Sequence, residues 1–209
     1  MSSRSSMTAC ACALASTLLA PMTLGAMDHM AGMTMPADKA QSSAHNKIPW
    51  VQARQILLLS RHEGRSRGRT VTFRGKTVAI AVVANAPHHP DMSFEIGGLT
   101  NPTITVTQGS SVTLTFLNMD YGPYMDHGVV ITATRPPYPA HVDRHLAGVL
   151  AHIRLLPPRS RQRLARAHYA EGSVHFLAQK AGTYYYVCPI PGHALAYRMY
   201  GRFLVRNAS

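Results

Sequence analysis

The stretch Thr183-Tyr184-Tyr185-Tyr186-Val187-Cys188-Pro189-Ile190-Pro191-Gly192-His193-Ala194-Leu195-Ala196-Tyr197-Arg198-Met199-Tyr200-Gly201-Arg202-Phe203-Leu204-Val205 reads as two short strands, Thr183 to Val187 and Arg202 to Val205, joined by a loop. Aromatic and β-branched residues fill both runs, and such side chains suit a pleated, half-buried surface. Pro189, Pro191 and Gly192 stiffen the loop and turn it. Working outward, Thr70 to Phe73 and Thr77 to Ala84 flank Arg74-Gly75-Lys76. Thr103 to Thr107 and Val112 to Leu117 alternate polar and apolar around Gln108-Gly109-Ser110-Ser111, a pattern that predicts a hairpin. Met92 to Ile96, Gly128 to Thr134 and Val174 to Leu177 add further strands. Many short strands separated by Gly, Pro and Asn predict an all-β domain, a sandwich or barrel. Pro49 to Leu59, which contains no Gly and carries Val51, Ile56, Leu57, Leu58 and Leu59, predicts a short helix packed on it.

The loop places Cys188, His193 and Met199 between two apolar strands. Those are the ligand types of a mononuclear blue-copper site, in which two imidazoles and a thiolate lie in a trigonal plane beneath a weak axial thioether. A strand must deliver the Cys, and the loop must curl the His and Met around the same point. The second imidazole must come from elsewhere. His127, about 60 residues upstream at the head of the strand Gly128 to Thr134, can face the Cys loop. Of the other ten His, His88 and His89 sit in a Pro-flanked turn and five lie in or beside a basic segment, which marks them as surface residues. An inert buried thiol would leave the spacing of His193 and Met199 to coincidence, and a zinc site calls for denser Cys and His spacing.

Residues 1–26 read as a secretory signal peptide, with Arg4, the apolar and small-residue run Met7 to Ala20, Pro21 and the ending Leu24-Gly25-Ala26. A run of about 14 residues is short of the roughly 20 that span a bilayer. Removing it leaves Cys188 as the single cysteine of an exported chain, where cysteines ordinarily pair. Residues 27–48 read as a flexible leader whose Met27, His29, Met30, Met33 and Met35 suit copper(I), and residues 49–209 as one domain. Residues 135–170 interrupt the strand pattern. Arg135 to His168 carries seven Arg, four His and several Pro, and predicts a helix over Arg144 to Leu156 inside a solvent-facing basic excursion. The formal charge of +12 attracts anionic partners in a salt-dependent way. No helix-turn-helix, zinc-finger or RNP signature aims it at nucleic acid.

Beyond the loop, the segments Thr70 to Val78, Asn101-Pro102-Thr103-Ile104, Val112 to Asn118, His127, Pro136-Pro137-Tyr138, Ala181 to Cys188 and Ile190-Pro191-Gly192-His193 resemble the rusticyanin family of periplasmic blue-copper proteins, which are cupredoxins. The resemblance runs from about Trp50 to Val205. It implies a cupredoxin-like Greek-key β-sandwich with an N-terminal extension containing a short helix. It also implies one type 1 copper ion held by His127, Cys188, His193 and Met199. The implied role is a periplasmic, monomeric electron carrier, not an enzyme, passing single electrons between redox proteins such as c-type cytochromes, in a chain that begins with ferrous iron. Nucleic-acid binding and stable membrane insertion are not expected. Val187 and Pro189 flank Cys188 where a copper oxidase or nitrite reductase would place His. The alternative is a periplasmic copper chaperone or resistance protein, which the Met-rich leader would serve. Three departures from the family stand out. Five residues separate His193 from Met199, one more than the family's loop; Gly128 stands where cupredoxins usually carry a side chain bonded toward the Cys loop; and the basic stretch Arg135 to His168 does not look like the family's counterpart.

Overall fold

The computed structural model describes residues 40–41 and 45–208. The signal peptide and Met27 to Met35 therefore lie outside the described residues. In chain order the strands are β1 (Ala40–Gln41), β2 (Asn46–Pro49), β3 (Arg65–Arg67), β4 (Thr70–Thr72), β5 (Thr77–Ala84), β6 (Phe94–Ile96), β7 (Leu99–Thr100), β8 (Thr103–Thr107), β9 (Ser111–Asn118), β10 (His127–Thr132), β11 (Ala151–Leu156), β12 (His168–Leu177), β13 (Gly182–Val187) and β14 (Tyr200–Arg206). Helix α1 is Trp50–His62, and α2 is the single turn His193–Ala196.

Two sheets face each other. One runs β1-β11-β10-β13-β14-β8-β4-β3 and the other β2-β12-β9-β5-β6-β7. Alternate residues of each strand point between the sheets, so Val71, Ile104, Val129, Ile131, Tyr186, Phe203 and Val205 from the first meet Ile80, Val82, Phe94, Leu114, Phe116 and Val174 from the second in one continuous core. Helix α1 lies on the other side of the second sheet. Ala53, Leu57 and Ser60, spaced to share one helical face, are buried there with Ile48, Val83, Leu117 and Tyr169. The Ser60 hydroxyl donates to the buried Glu95 carboxylate at 2.6 Å and pins the helix to β6.

The strands sit within a residue or two of the positions expected, except that β12 starts at His168 and is much longer. The pairing differs. Thr103 to Thr107 and Val112 to Leu117 do not form a hairpin. β8 pairs in parallel with β14 and β4, while β9 pairs in parallel with β5 and antiparallel with β12. The turn Gln108 to Ser110 thus carries the chain from one sheet to the other, as Phe73 to Lys76 does between β4 and β5. Alternation fixes which face of a strand is buried, and both arrangements bury the same face.

The basic excursion is also different from expectation. The helix predicted over Arg144 to Leu156 is absent; Val142–His145 is a short 3₁₀ turn and Ala151–Leu156 is β11, paired antiparallel to β10. Ala151, Ile153 and Leu156 enter the core, while Tyr138 and Val142 pack with Val130, Val187 and Ala194 on the outer face of the first sheet. Only part of the excursion is solvent-facing. The end of the leader is ordered too, since Asn46–Pro49 pairs with His168–Glu171 of β12.

Candidate metal centre

His127, Cys188 and Met199 reach one point because they occupy inward positions at one end of three adjacent strands. His127 opens β10, in phase with core residues Val129 and Ile131, and Cys188 follows β13, in phase with Tyr184 and Tyr186. Met199 precedes β14, in phase with Phe203 and Val205, and its carbonyl accepts the Cys188 N–H at 3.1 Å. His193 arrives by the loop. Gly192 takes φ 85°, where a side chain would be strained, and its N–H donates to the Ala140 carbonyl at 2.8 Å, tying the loop to the excursion.

The longer His193 to Met199 spacing is absorbed locally. Residues His193–Ala196 make one helical turn, and Arg198 adopts φ 55°, which turns the chain back so that the Met199 N–H meets the His193 carbonyl at 3.2 Å. The Asn101 side chain holds the Arg198 carbonyl at 3.1 Å.

The donor atoms of His127, Cys188 and His193 all lie within 4.8 Å of one another. Cys188 Sγ is 3.8 Å from His127 Nδ1 and 3.5 Å from His193 Nδ1. His127, Cys188 and Met199 are fully buried and His193 is 8% exposed. Burial pushes the Cys188 thiol up, but the bonds to His127 and His193, the His127 charge and the Gly128 N–H outweigh it and bring it down to about 6. Burial pushes His127 down, but the bonds to Asp120 and Cys188, with their charges, raise it to about 9. Without a metal these shifts favour a thiolate beside an imidazolium, so binding a cation there displaces a proton.

Asp120 is the residue that sequence reasoning missed. Its Oδ2 accepts from His127 Nε2 at 2.8 Å and from the Asn85 side chain at 2.7 Å, and its Oδ1 accepts the Tyr121 N–H at 2.7 Å. Burial pushes its carboxyl up, yet these bonds and the His127 charge leave it below its ordinary value. With Nε2 engaged, His127 presents Nδ1 to the pocket. The available signal was Asn118, whose side chain accepts the Asp120 N–H at 3.0 Å and so builds the turn that presents Asp120.

Gly128 also finds its reason. A Cβ there would sit 3.0 Å from the Ile153 carbonyl oxygen and 3.1 Å from Leu155 Cδ2, because β11 bulges against β10 at this point. The contact toward the Cys loop is made by the Gly128 backbone N–H to the thiolate.

No protein-family model matches the chain. Rusticyanin from Acidithiobacillus ferrooxidans is 36% identical over 160 residues, covering 76% of this chain and 93% of that protein. This chain belongs to the rusticyanin family. The rusticyanin of Acidithiobacillus ferridurans is likewise 36% identical over 160 residues, covering 77% of its length. A crystal structure of rusticyanin from Thiobacillus ferrooxidans superposes with a TM-score of 0.68 at 31% identity, covering 78% of this chain and 97% of that one, and a structure of reduced rusticyanin gives 0.67. Another solved member is described as a copper protein. The rusticyanins are blue-copper cupredoxins that carry electrons, and the cupredoxin fold and copper site expected here are theirs. The donor set is of the type that copper takes: one thiolate and two imidazoles in a pocket buried except at the edge of His193.

Proposed function

We propose that His127, Cys188, His193 and Met199 would hold a single copper ion, and that the chain is a periplasmic, monomeric electron carrier in a respiratory chain fed by ferrous iron. The observation that supports this best is the convergence of two imidazoles and one thiolate at fully or nearly fully buried positions, His127 and Cys188 on or next to paired strands and His193 on the turn of the loop. Copper supplies the one-electron couple. The residues of this chain supply the rest.

Cys188 is anchored by its backbone bond to Met199 and its Sγ by the Gly128 N–H. His127 is oriented by Asp120, and His193 by the turn that starts at Gly192. Donors fixed in this way cannot rearrange much when the charge at the centre changes by one, which keeps transfer fast in both directions. The core walls exclude most water, and burial would favour the less charged copper(I), so a bound copper would have a high potential. The Asp120 carboxylate partly opposes that. His193 is the one donor that reaches the surface, and exposed Leu195 and Tyr197 lie on its turn, with the Tyr197 ring 6.2 Å from the imidazole. Electrons would leave and enter here. Among the described residues no helix is long and apolar enough to cross a membrane.

Spectroelectrochemical titration of the copper-loaded chain tests the proposal. A reversible one-electron couple with one copper per chain, retained against a copper(I) chelator over hours, supports it. Copper that passes to the chelator within minutes would favour a chaperone role and contradict it.

A further inference from the structure

On the outer face of the first sheet, one transverse row of paired residues runs Arg67, Thr70, Thr103, Arg202, Tyr185, Thr132 across β3, β4, β8, β14, β13 and β10. The register of Phe203 with Ile104 places Arg202 beside Thr103, and Tyr185 pairs directly with Arg202. Over the middle of this row, from Thr103 to Tyr185, lies a cavity of about 630 Å³. Four guanidinium-bearing residues line it: Arg69 at the head of β4, Arg202 on β14, Arg135 just past β10, and Arg198 between two of the copper-site residues.

All four arginines are exposed. No carboxylate lines the cavity, and among the described residues none of the four has an ion-pair partner. Four positive charges without carboxylate partners around one concavity repel each other, so the groove gains by accepting anionic groups. Guanidinium groups grip carboxylates bidentately, and Tyr185 and the Asn101 amide add polar and flat surface on the same wall.

The groove's length discriminates among anions. From Arg69 beside β4 to Tyr185 on β13 it crosses three strand spacings, about 14 Å at roughly 4.8 Å each, and it stops at β10, where Thr132 is buried beneath the excursion. That is the span of about four residues of extended chain at roughly 3.3 Å per residue, and longer than one oxyanion. We propose that this groove docks an acidic, extended segment of the protein with which the chain exchanges electrons. The inference rests on the carrier reading. Arg202 and Tyr185 stand three residues from Met199 and Cys188 along their strands, so a segment seated there is held beside the metal centre. Charged contacts at such a rim speed encounter and fix orientation, while the apolar turn around His193 makes the close contact.

The test uses the copper-loaded chain and a fluorescein-labelled hexaglutamate peptide, with binding followed by fluorescence anisotropy at low and moderate salt. The groove variant is Arg69→Glu/Arg202→Glu. Arg161→Glu/Arg163→Glu, two exposed residues of the excursion, makes the same charge change away from the groove. The proposal expects the groove variant to weaken binding about tenfold or more and the control less than twofold. Equal weakening in both would mean attraction to net charge alone and would overturn it. So would full competition by inorganic phosphate at the same concentration of anionic groups, which would mark a small-oxyanion site. The thiolate-to-copper absorption band is recorded in every sample. No peptide binding by the unmodified chain with the band intact condemns the groove alone, and absence of the band in the unmodified chain condemns the carrier reading alone.

Discussion

Replacing Gly128 by Ala or Ser adds the side chain that the bulge in β11 excludes. The new Cβ would lie 3.0 Å from the Ile153 carbonyl oxygen, 3.1 Å from Leu155 Cδ2 and 3.4 Å from the Arg154 carbonyl carbon. Two of these three atoms are backbone in a paired strand, so they cannot move aside as the end of a side chain could. Gly128 is buried and does not need a positive φ, so Ala would otherwise stabilise by about 0.4–1 kcal/mol through the unfolded chain. Overpacking of this kind costs about 1–3 kcal/mol. The net expectation is a loss of about 1–2 kcal/mol for Ala and more for Ser, or a fall in Tm of roughly 2–8 °C in a domain of this size. Because the Gly128 N–H also serves the thiolate, separation of β10 from β11 weakens that bond as well. Thermal and urea denaturation of the copper-free variants reads the stability. An Ala variant that melts at or above the parent would refute the claim that β11 requires glycine here.

Other outcomes follow from the same geometry. Asp120→Asn keeps a hydrogen-bond acceptor for His127 but removes the negative charge, so copper(I) gains relative to copper(II); the potential should rise by about 1–2 kcal/mol, roughly 50–90 mV for one electron, measured by voltammetry, and a fall would contradict the role given to Asp120. Tyr186→Phe deletes the buried hydroxyl that donates to the Pro102 carbonyl and should cost about 1–2 kcal/mol in urea denaturation while the visible spectrum is unchanged. In the copper-free chain, His127, raised to about 9, lends stability that is complete below about 6.5 and lost as pH rises through about 9. Cys188, lowered to about 6, lends stability that is present above its ordinary value near 9 and lost as pH falls through about 6. The two slopes oppose each other, so urea midpoints should stay nearly level between pH 6.5 and 9. In Cys188→Ser they should decline with rising pH, because the thiolate contribution is gone and the part of the His127 contribution that comes from Asp120 remains.

Strand positions and the ligand loop were legible in the sequence because both depend on local chemistry. Alternation in Thr103 to Thr107 and Val112 to Leu117 marked two half-buried strands, and Cys188, His193 and Met199 shared one loop. Pairing was not legible in the same way. The turn at Gln108-Gly109-Ser110 looks the same whether it folds β9 back on β8 or carries it to the opposite sheet, and long-range parallel partners decide the matter. The segment Arg144 to Leu156 misled because its apolar residues satisfy a helical stripe as well as a strand that is buried at Ala151, Ile153 and Leu156. Asp120 escaped notice because a carboxylate in a loop is usually solvated, and only the fold brings it 2.8 Å from His127. Gly128 looked like a missing side chain until β11, a strand that the sequence pattern did not reveal, was found to fill its place.

The claim that a buried thiolate and two imidazoles bind copper as a type 1 site is tested most directly by optical and electron paramagnetic resonance spectra. These should be taken on the copper-loaded chain after treatment with a strong oxidant, beside Cys188→Ser. The oxidant is needed because a high-potential centre is isolated reduced and colourless. An intense blue thiolate-to-copper band that vanishes in Cys188→Ser is the predicted result. Absence of that band, with copper bound equally by both proteins, would contradict the account.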